Sequence, residues 1–232
     1  MYEGAAMEKS WKEKMEQIRR CGTADVADTL SKRFGMKNYS VDGLSALRPG
    51  DKIVGPAYPL SYRKTGRPGE QPLPFYEVVQ QCETGGVLVM EGLPDYIYGG
   101  DVVCRYVRHC GAAGLITDGN MRDIGSLQTM EDFPVFCKGS SSYISHYAGD
   151  VMTAGQPILL HGVRICPGDI LFGDEDGIVV IPREILDDVL YQLEDMVRIE
   201  DEYTAVFESA KPGEDIIAKL RAVGSQKRVR RE

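Results

Sequence analysis

The sequence has no apolar run approaching the ~20 residues needed to cross a bilayer. Its opening, MYEGAAMEKSWKEKMEQ, carries charge where a secretory leader needs an apolar stretch. A cytoplasmic protein with no membrane contact is therefore expected. Basic charge is in deficit: 27 Lys and Arg stand against 35 Asp and Glu, a formal net charge of −8. Proteins that grip phosphate backbones need a basic surface, so nucleic acid is not an expected partner. The six cysteines (Cys21, Cys82, Cys104, Cys110, Cys137, Cys166) contain no C-x-x-C pair, and no Cys/His group has zinc-finger spacing. Reduced, mostly buried thiols are the expectation. His109, His146 and His161 are too far apart in sequence to define a site. Neither G-x-G-x-x-G nor G-x-x-x-x-G-K-[ST] occurs, so nothing points to a dinucleotide or a P-loop. GDEDG at 173–177 lacks the twelve-position spread of an EF-hand and reads as a solvated turn. Ser140-Ser141-Ser142 has no nucleophile-elbow context.

What is present is an ordinary globular composition: 232 residues, 43% hydrophobic and 27% charged, enough for one large α/β domain over residues 1–232. Trp11, Met15 and Ile18 predict an amphipathic helix at about 8–20. Thr23 reads as the N-cap of a second helix that carries Val26, Ala27 and Leu30 on one face. Strands are expected at 52–62, 85–92, 114–117 and 133–139, and over PILLHGVRI, DILFGD and GIVVIP. Helices are expected at 75–83, 101–111 and 125–130, and from about 183 to 209. Residues 63–74 read as a Gly- and Pro-rich loop, and the tail GSQKRVRRE as a frayed end. The alternation predicts a mixed α/β fold with a partly antiparallel sheet.

The chemistry concentrates in GLITDGNMRD, 114–123. A buried strand runs into a turn and delivers Arg122 beside Asp123, and strand ends of α/β folds are where ligands bind. An arginine there can grip a carboxylate bidentately, and an aspartate can ligate a hard divalent cation. The plain alternative is an ion pair that tidies the turn. Asp101 follows Gly99-Gly100 and opens a helix, whose free N–H groups favour an anion. The loop 99–103 could thus supply backbone donors to a carboxylate, with Asp101 near a cation; alternatively Asp101 simply caps its helix.

The D-x20-R-D spacing of Asp101, Arg122 and Asp123, with the glycine pair before it, resembles the RraA-like family. That family includes the class II 4-hydroxy-4-methyl-2-oxoglutarate/4-carboxy-4-hydroxy-2-oxoadipate aldolases and the regulator of ribonuclease E activity. TADVADTL, GPAYPL, FPVFCKG, GVRICPGDILFGDEDGIVVIP and the charged C-terminal helix extend the likeness over roughly residues 20–205. The resemblance implies a swivelling β/β/α fold, with a mixed sheet and flanking helices, in homotrimers or homohexamers with active sites between subunits. It implies that Arg122 binds the pyruvoyl carboxylate, that Asp123 ligates Mg²⁺ or Mn²⁺, and that Asp101 holds metal-bound water. Gly100 and the amides of Val102 and Val103 face the substrate, and Glu200, or else Glu202, is supplied by a neighbouring subunit. The implied activity is cleavage of a 4-hydroxy-2-oxo acid to pyruvate, with oxaloacetate decarboxylation beside it. A non-catalytic regulator that binds a ribonuclease, and a lyase or hydratase for another 2-oxo acid, are the alternatives. Where the aldolases carry an acidic residue shortly after the Arg-Asp pair, this chain has Ile124-Gly125-Ser126-Leu127-Gln128.

Overall fold

The structure, a computed structural model, describes residues 9–65, 71–143 and 149–224. They form two compact units: residues 38–183, and a helical unit made of both ends of the chain, up to Lys37 and from Glu184 onward.

The chain begins with helices α1 (Trp11–Arg19) and α2 (Thr23–Phe34). Short strands β1 (Ser40–Val41) and β2 (Ser45–Ala46) lead to the long β3 (Ile53–Lys64). Helix α3 (Phe75–Val79), strands β4 (Val87–Glu91) and β5 (Ile97–Gly99) and helix α4 (Asp101–His109) follow. Next come β6 (Gly114–Thr117), β7 (Asn120–Met121), the one-turn helix α5 (Ile124–Leu127), β8 (Val135–Cys137) and β9 (Gly139–Ser140). Strands β10 (Gly149–Ala154), β11 (Ile158–Leu160), β12 (Val163–Ile165), β13 (Ile170–Asp174) and β14 (Gly177–Ile181) precede a 3-10 turn at Arg183–Ile185. The chain then enters the long α6 (Leu186–Ser209) and α7 (Ile217–Gly224).

The main sheet is mixed. Its order is β1-β14-β13-β3-β4-β6-β8-β2, with β10 also paired to β3. Strands β3, β4, β6 and β8 run parallel, and the flanking pairings are antiparallel. The parallel strands are mostly apolar up to their C-terminal ends because both of their faces are buried there. On β4, Val87 and Val89 point into one core and Leu88 and Met90 into the other, as the period of two requires. The Val87 face is covered by the β11–β12 hairpin through Ile158, Leu160, Val163 and Ile165. The Leu88 face packs on Val78 and Val79 of α3 and on Cys104 and Val107 of α4. This hairpin–sheet–helix layering is the β/β/α arrangement that the resemblance implied.

Several sequence expectations are corrected. PILLHGVRI is a hairpin rather than one strand: Leu160 pairs with Val163 across His161 (φ 46) and Gly162 (φ 84). Two consecutive positive-φ residues make the tight turn that suits strand twist. Gly22, not Thr23, caps α2, and its amide bonds Asp25 Oδ2 at 2.7 Å. Arg63 and Lys64 extend β3, and Leu73 bridges Val151, so residues 63–74 are not all loop. Residues 66–70, His146, residue 8 and the tail beyond Gly224 lie outside the described residues. Strand β10, helix α7 and the short strands β5, β7 and β9 were not anticipated.

In the helical unit, α2 packs along α6. Asp195 on α6 is fully buried and is paired by Arg33 at 3.2 Å and Arg198 at 2.8 Å, the compensation a buried charge requires. Glu200, one turn further on, has its carboxyl pushed up to about 7, first by desolvation and then by a hydrogen bond to Asp25 and the charges of Asp25 and Asp28.

Candidate active site

Three of the parallel strands in the main sheet, β4, β6 and β8, are each followed by a short strand, β5, β7 and β9. These three form a second, wholly parallel sheet in the order β5-β7-β9. Two ladder bonds fix where they end: the Arg122 amide donates to Gly99 O and the Ser141 amide to Met121 O, both at 3.0 Å. Gly100-Asp101, Arg122-Asp123 and Ser141-Ser142 are therefore the first residues past three adjacent strand ends. A cleft of about 480 Å³ opens there, lined by Arg122, Asp123, Ile124, Ser140, Ser141 and Ser142.

Gly100 is the N-cap of α4 and Asp101 its first residue. The first bond inside the helix runs from the Cys104 amide to Gly100 O. The amides of Asp101, Val102 and Val103 precede it and have no intrahelical acceptor. That of Asp101 donates to Asp123 Oδ2 at 3.2 Å. A Cβ on Gly100 would fall 2.2 Å from the same oxygen, so only glycine lets the helix end and the carboxylate meet. Val102 is 70% exposed, which leaves the first turn of α4 uncovered on that side.

Asp123 has left-handed backbone (φ 58, ψ 35), uncommon outside glycine but tolerated by Asp and Asn. Its carbonyl accepts from the Ser126 and Leu127 amides and so starts α5. The strained residue lies in the candidate site, where such strain tends to gather. Arg122 and Asp123 are neighbours without a close pair: Nε to Oδ2 is 3.8 Å, beyond hydrogen-bond range. Both side chains are about half exposed. The two are thus a loose ion pair, as the plain reading of the turn has it, without a hydrogen bond to fix it.

Asp101 is held from two sides. Arg105 Nε donates to both of its oxygens at 2.9 Å, and Ser126 Oγ donates to Oδ1 at 2.6 Å. These bonds, Arg105 first and Ser126 second, hold its carboxyl below the usual range, so it stays ionised. Ser126 falls in the segment that lacks a carboxylate. Sequence reasoning passed over it because its partner lies on another helix. Arg105 was recoverable as the i+4 neighbour of Asp101.

Asp118 completes the scaffold. It is 6% exposed, and its Oδ2 accepts the Gly92 amide at 2.8 Å. The hydroxyl of Tyr98 accepts the Leu93 amide at 2.9 Å. Burial lifts the Asp118 carboxyl above its ordinary range. These bonds brace the segment that leads to Gly99 and Gly100.

The Asp123 carboxylate lines the cleft and offers oxygen, the donor type hard divalent cations take, while the Asp101 carboxyl is turned to Arg105 and Ser126. No group of three or more His, Cys, Asp or Glu side chains arranged to hold a metal exists among the described residues. Mg²⁺ keeps several waters and needs only one or two carboxylates, so this donor set suits it. The thiols offer no rival centre. Cys82 and Cys104 are buried and pushed up to about 12, and Cys137 up to about 11, each chiefly by desolvation. Glu200 lies in the helical unit, beside Asp25. Glu202, there too, pairs with Arg198. No described helix is long and apolar enough to cross a membrane.

The family model for RraA-like proteins (Aldolase/RraA) matches residues 23–180, which hold all of these site residues except those on α6. The chain belongs to the RraA-like family. Over 176 residues it is 31% identical to the protein named "Putative 4-hydroxy-4-methyl-2-oxoglutarate aldolase" of Halalkalibacterium halodurans, covering 75% of this chain and 79% of that one. Over 183 residues it is 29% identical to Protein DlpA of Legionella pneumophila; this is 76% of the chain but only 28% of DlpA's length. Among solved structures it resembles Streptomyces coelicolor RraAS2, described as an unusual member of the RNase ES inhibitor RraA protein family. The TM-score there is 0.72 at 25% identity, over 84% of this chain and 96% of that one. This RraA-like chain therefore has relatives named for a lyase and relatives named for inhibition of a ribonuclease.

Proposed function

We propose that the protein is a divalent-metal-dependent lyase that splits a 4-hydroxy-2-oxo acid to pyruvate, with oxaloacetate decarboxylation as a side activity. The observation that carries this reading is the convergence of Asp101, Arg122 and Asp123 on adjacent strand ends beside the open N-terminus of α4.

Both reactions leave a pyruvate enolate, so the protein must hold positive charge where that negative charge grows. Arg122, its backbone fixed to Gly99, offers a planar fork to the substrate carboxylate. The amides of Val102 and Val103 add donors at the positive end of the helix. Asp123, with Asp101 nearby, would hold Mg²⁺ or Mn²⁺, which supplies a Lewis acid for the 2-oxo group. Asp101, kept ionised by Arg105 and Ser126, orients the water that accepts the proton of the 4-hydroxyl. Glu200 would come from a neighbouring copy in a homotrimer or homohexamer, and a carboxyl near 7 suits proton transfer.

The test is pyruvate release from oxaloacetate, and deuterium uptake into the methyl group of pyruvate, with Mg²⁺, with Mn²⁺ and with EDTA. Metal-dependent turnover in both assays, lost in Asp123→Ala, is expected. Absence of both would end the lyase reading. A pull-down against a ribonuclease E-type protein would then test the regulatory reading, which the likeness to RraAS2 favours.

A further inference from the structure

The head of the cleft is charged and its far wall is not. Beyond Arg122 and Asp123 the lining is Ile124 and the hydroxyl-bearing Ser140, Ser141 and Ser142. The lining thus holds one cation and one anion, and the resemblance assigns both to the head of the substrate. Nearby cations are committed elsewhere. Lys138 bonds Asp95 at 3.0 Å and Pro94 O at 3.1 Å, Arg105 holds Asp101, and Arg108 pairs with Asp132. Ser141 Oγ accepts the Tyr143 amide at 3.1 Å. The hydroxyls of Ser140 and Ser142 have no hydrogen-bond partner among the described residues, and both residues are exposed.

A hydroxyl both donates and accepts, so a row of serines matches a substrate chain that does the same. A second carboxylate would meet no cation on this wall among the described residues, a mismatch that selects against it. A cleft of about 480 Å³ also exceeds what a three-carbon head fills. We infer that the Ser140–Ser142 wall is a tail subsite for neutral hydroxyls. The substrate is then a monocarboxylic 4-hydroxy-2-oxo acid with further hydroxyl groups, of the deoxy-sugar-acid class, rather than a dicarboxylic acid. This rests on the lyase reading above and narrows its substrate.

For 4,5,6-trihydroxy-2-oxohexanoate the step balances without a further reactant. The C3–C4 bond breaks, the 4-hydroxyl gives up its proton and becomes the aldehyde oxygen of glyceraldehyde, and C3 takes one proton to become the methyl group of pyruvate.

The experiment compares kcat/KM for this acid and for 4-hydroxy-4-methyl-2-oxoglutarate, with Mg²⁺. Deuterium exchange into pyruvate, which needs only the head, is run on the same preparations. The trihydroxy acid should be preferred by about tenfold or more, the scale of one net hydrogen bond. In the Ser140→Ala/Ser142→Ala double variant, the ratio of trihydroxy-acid cleavage to pyruvate exchange should fall about tenfold. Intact exchange with preference for the dicarboxylic acid overturns the tail assignment and leaves the lyase reading standing. An unaltered ratio in the double variant does the same. Absence of exchange in the wild type removes both.

Discussion

A Cβ on Gly100 would lie 2.2 Å from Asp123 Oδ2, while the next amide, that of Asp101, donates to that oxygen over 3.2 Å. The helix end and the carboxylate are in contact, and a glycine is what allows it. Gly100→Ala must push the carboxylate aside. It should lower turnover by about 100-fold, the scale of a 1 Å misplacement, and cost about 1–3 kcal/mol of stability. Steady-state kinetics beside a urea melt would show it; full activity would mean that the contact is incidental.

Asp123 carries two separable features, its charge and its left-handed backbone. Asp123→Asn, Asp123→Ala and Asp123→Gly should all lose metal-dependent turnover. Their stabilities should differ: the glycine variant should exceed the alanine variant by about 1 kcal/mol, because only glycine adopts φ 58 freely. Equal urea midpoints for those two would show that the strain is relieved elsewhere.

Asp101 is held low by Arg105 and then by Ser126. A depressed carboxyl gives stability that is present above its unfolded value and lost as pH falls through its folded value. In EDTA-treated protein, Ser126→Ala should therefore move the Asp101 titration, read by carbon-13 NMR, upward toward the ordinary aspartate range, and Arg105→Ala should move it further. An unmoved titration in both would dismiss these bonds as the cause.

Glu200 has the opposite sign. Its carboxyl is raised from 4.5 to about 7, by desolvation before the hydrogen bond to Asp25. The stability linked to its proton is present below the ordinary value and fades as pH rises through about 7. Urea midpoints of the wild-type chain should decline between pH 5 and 8, and those of Glu200→Gln should decline less. Parallel declines would place the titrating group elsewhere.

Much of this was legible in the sequence. Apolar runs gave β3, β4 and β6, the spacing of apolar residues gave α1 and α2, and the glycine pair before Asp101 gave the start of α4. Asp101, Arg122 and Asp123, twenty-odd residues apart at most, do converge. What escaped notice has physical causes. Strands β5, β7 and β9 are two or three residues long, too short to show a period, yet they align the site. Ser126 matters through a partner on another helix, which no local pattern reports. Ser140-Ser141-Ser142 has no nucleophile-elbow context, and serines that line a cleft have no sequence pattern of their own. The hairpin hid inside PILLHGVRI because His161, not Asn or Asp, shares its turn with Gly162.

The parallel ends of β5, β7 and β9 divide labour by strand. The first brings the helix amides, the second the arginine and the aspartate, and the third the serines. Each end is joined to its neighbour by main-chain bonds, which are indifferent to side-chain identity. Side chains past the third strand can therefore be exchanged without retuning the other two. Under the proposed lyase reading, substrate choice is an adjustable setting on a constant reaction, changed by a few adjacent residues.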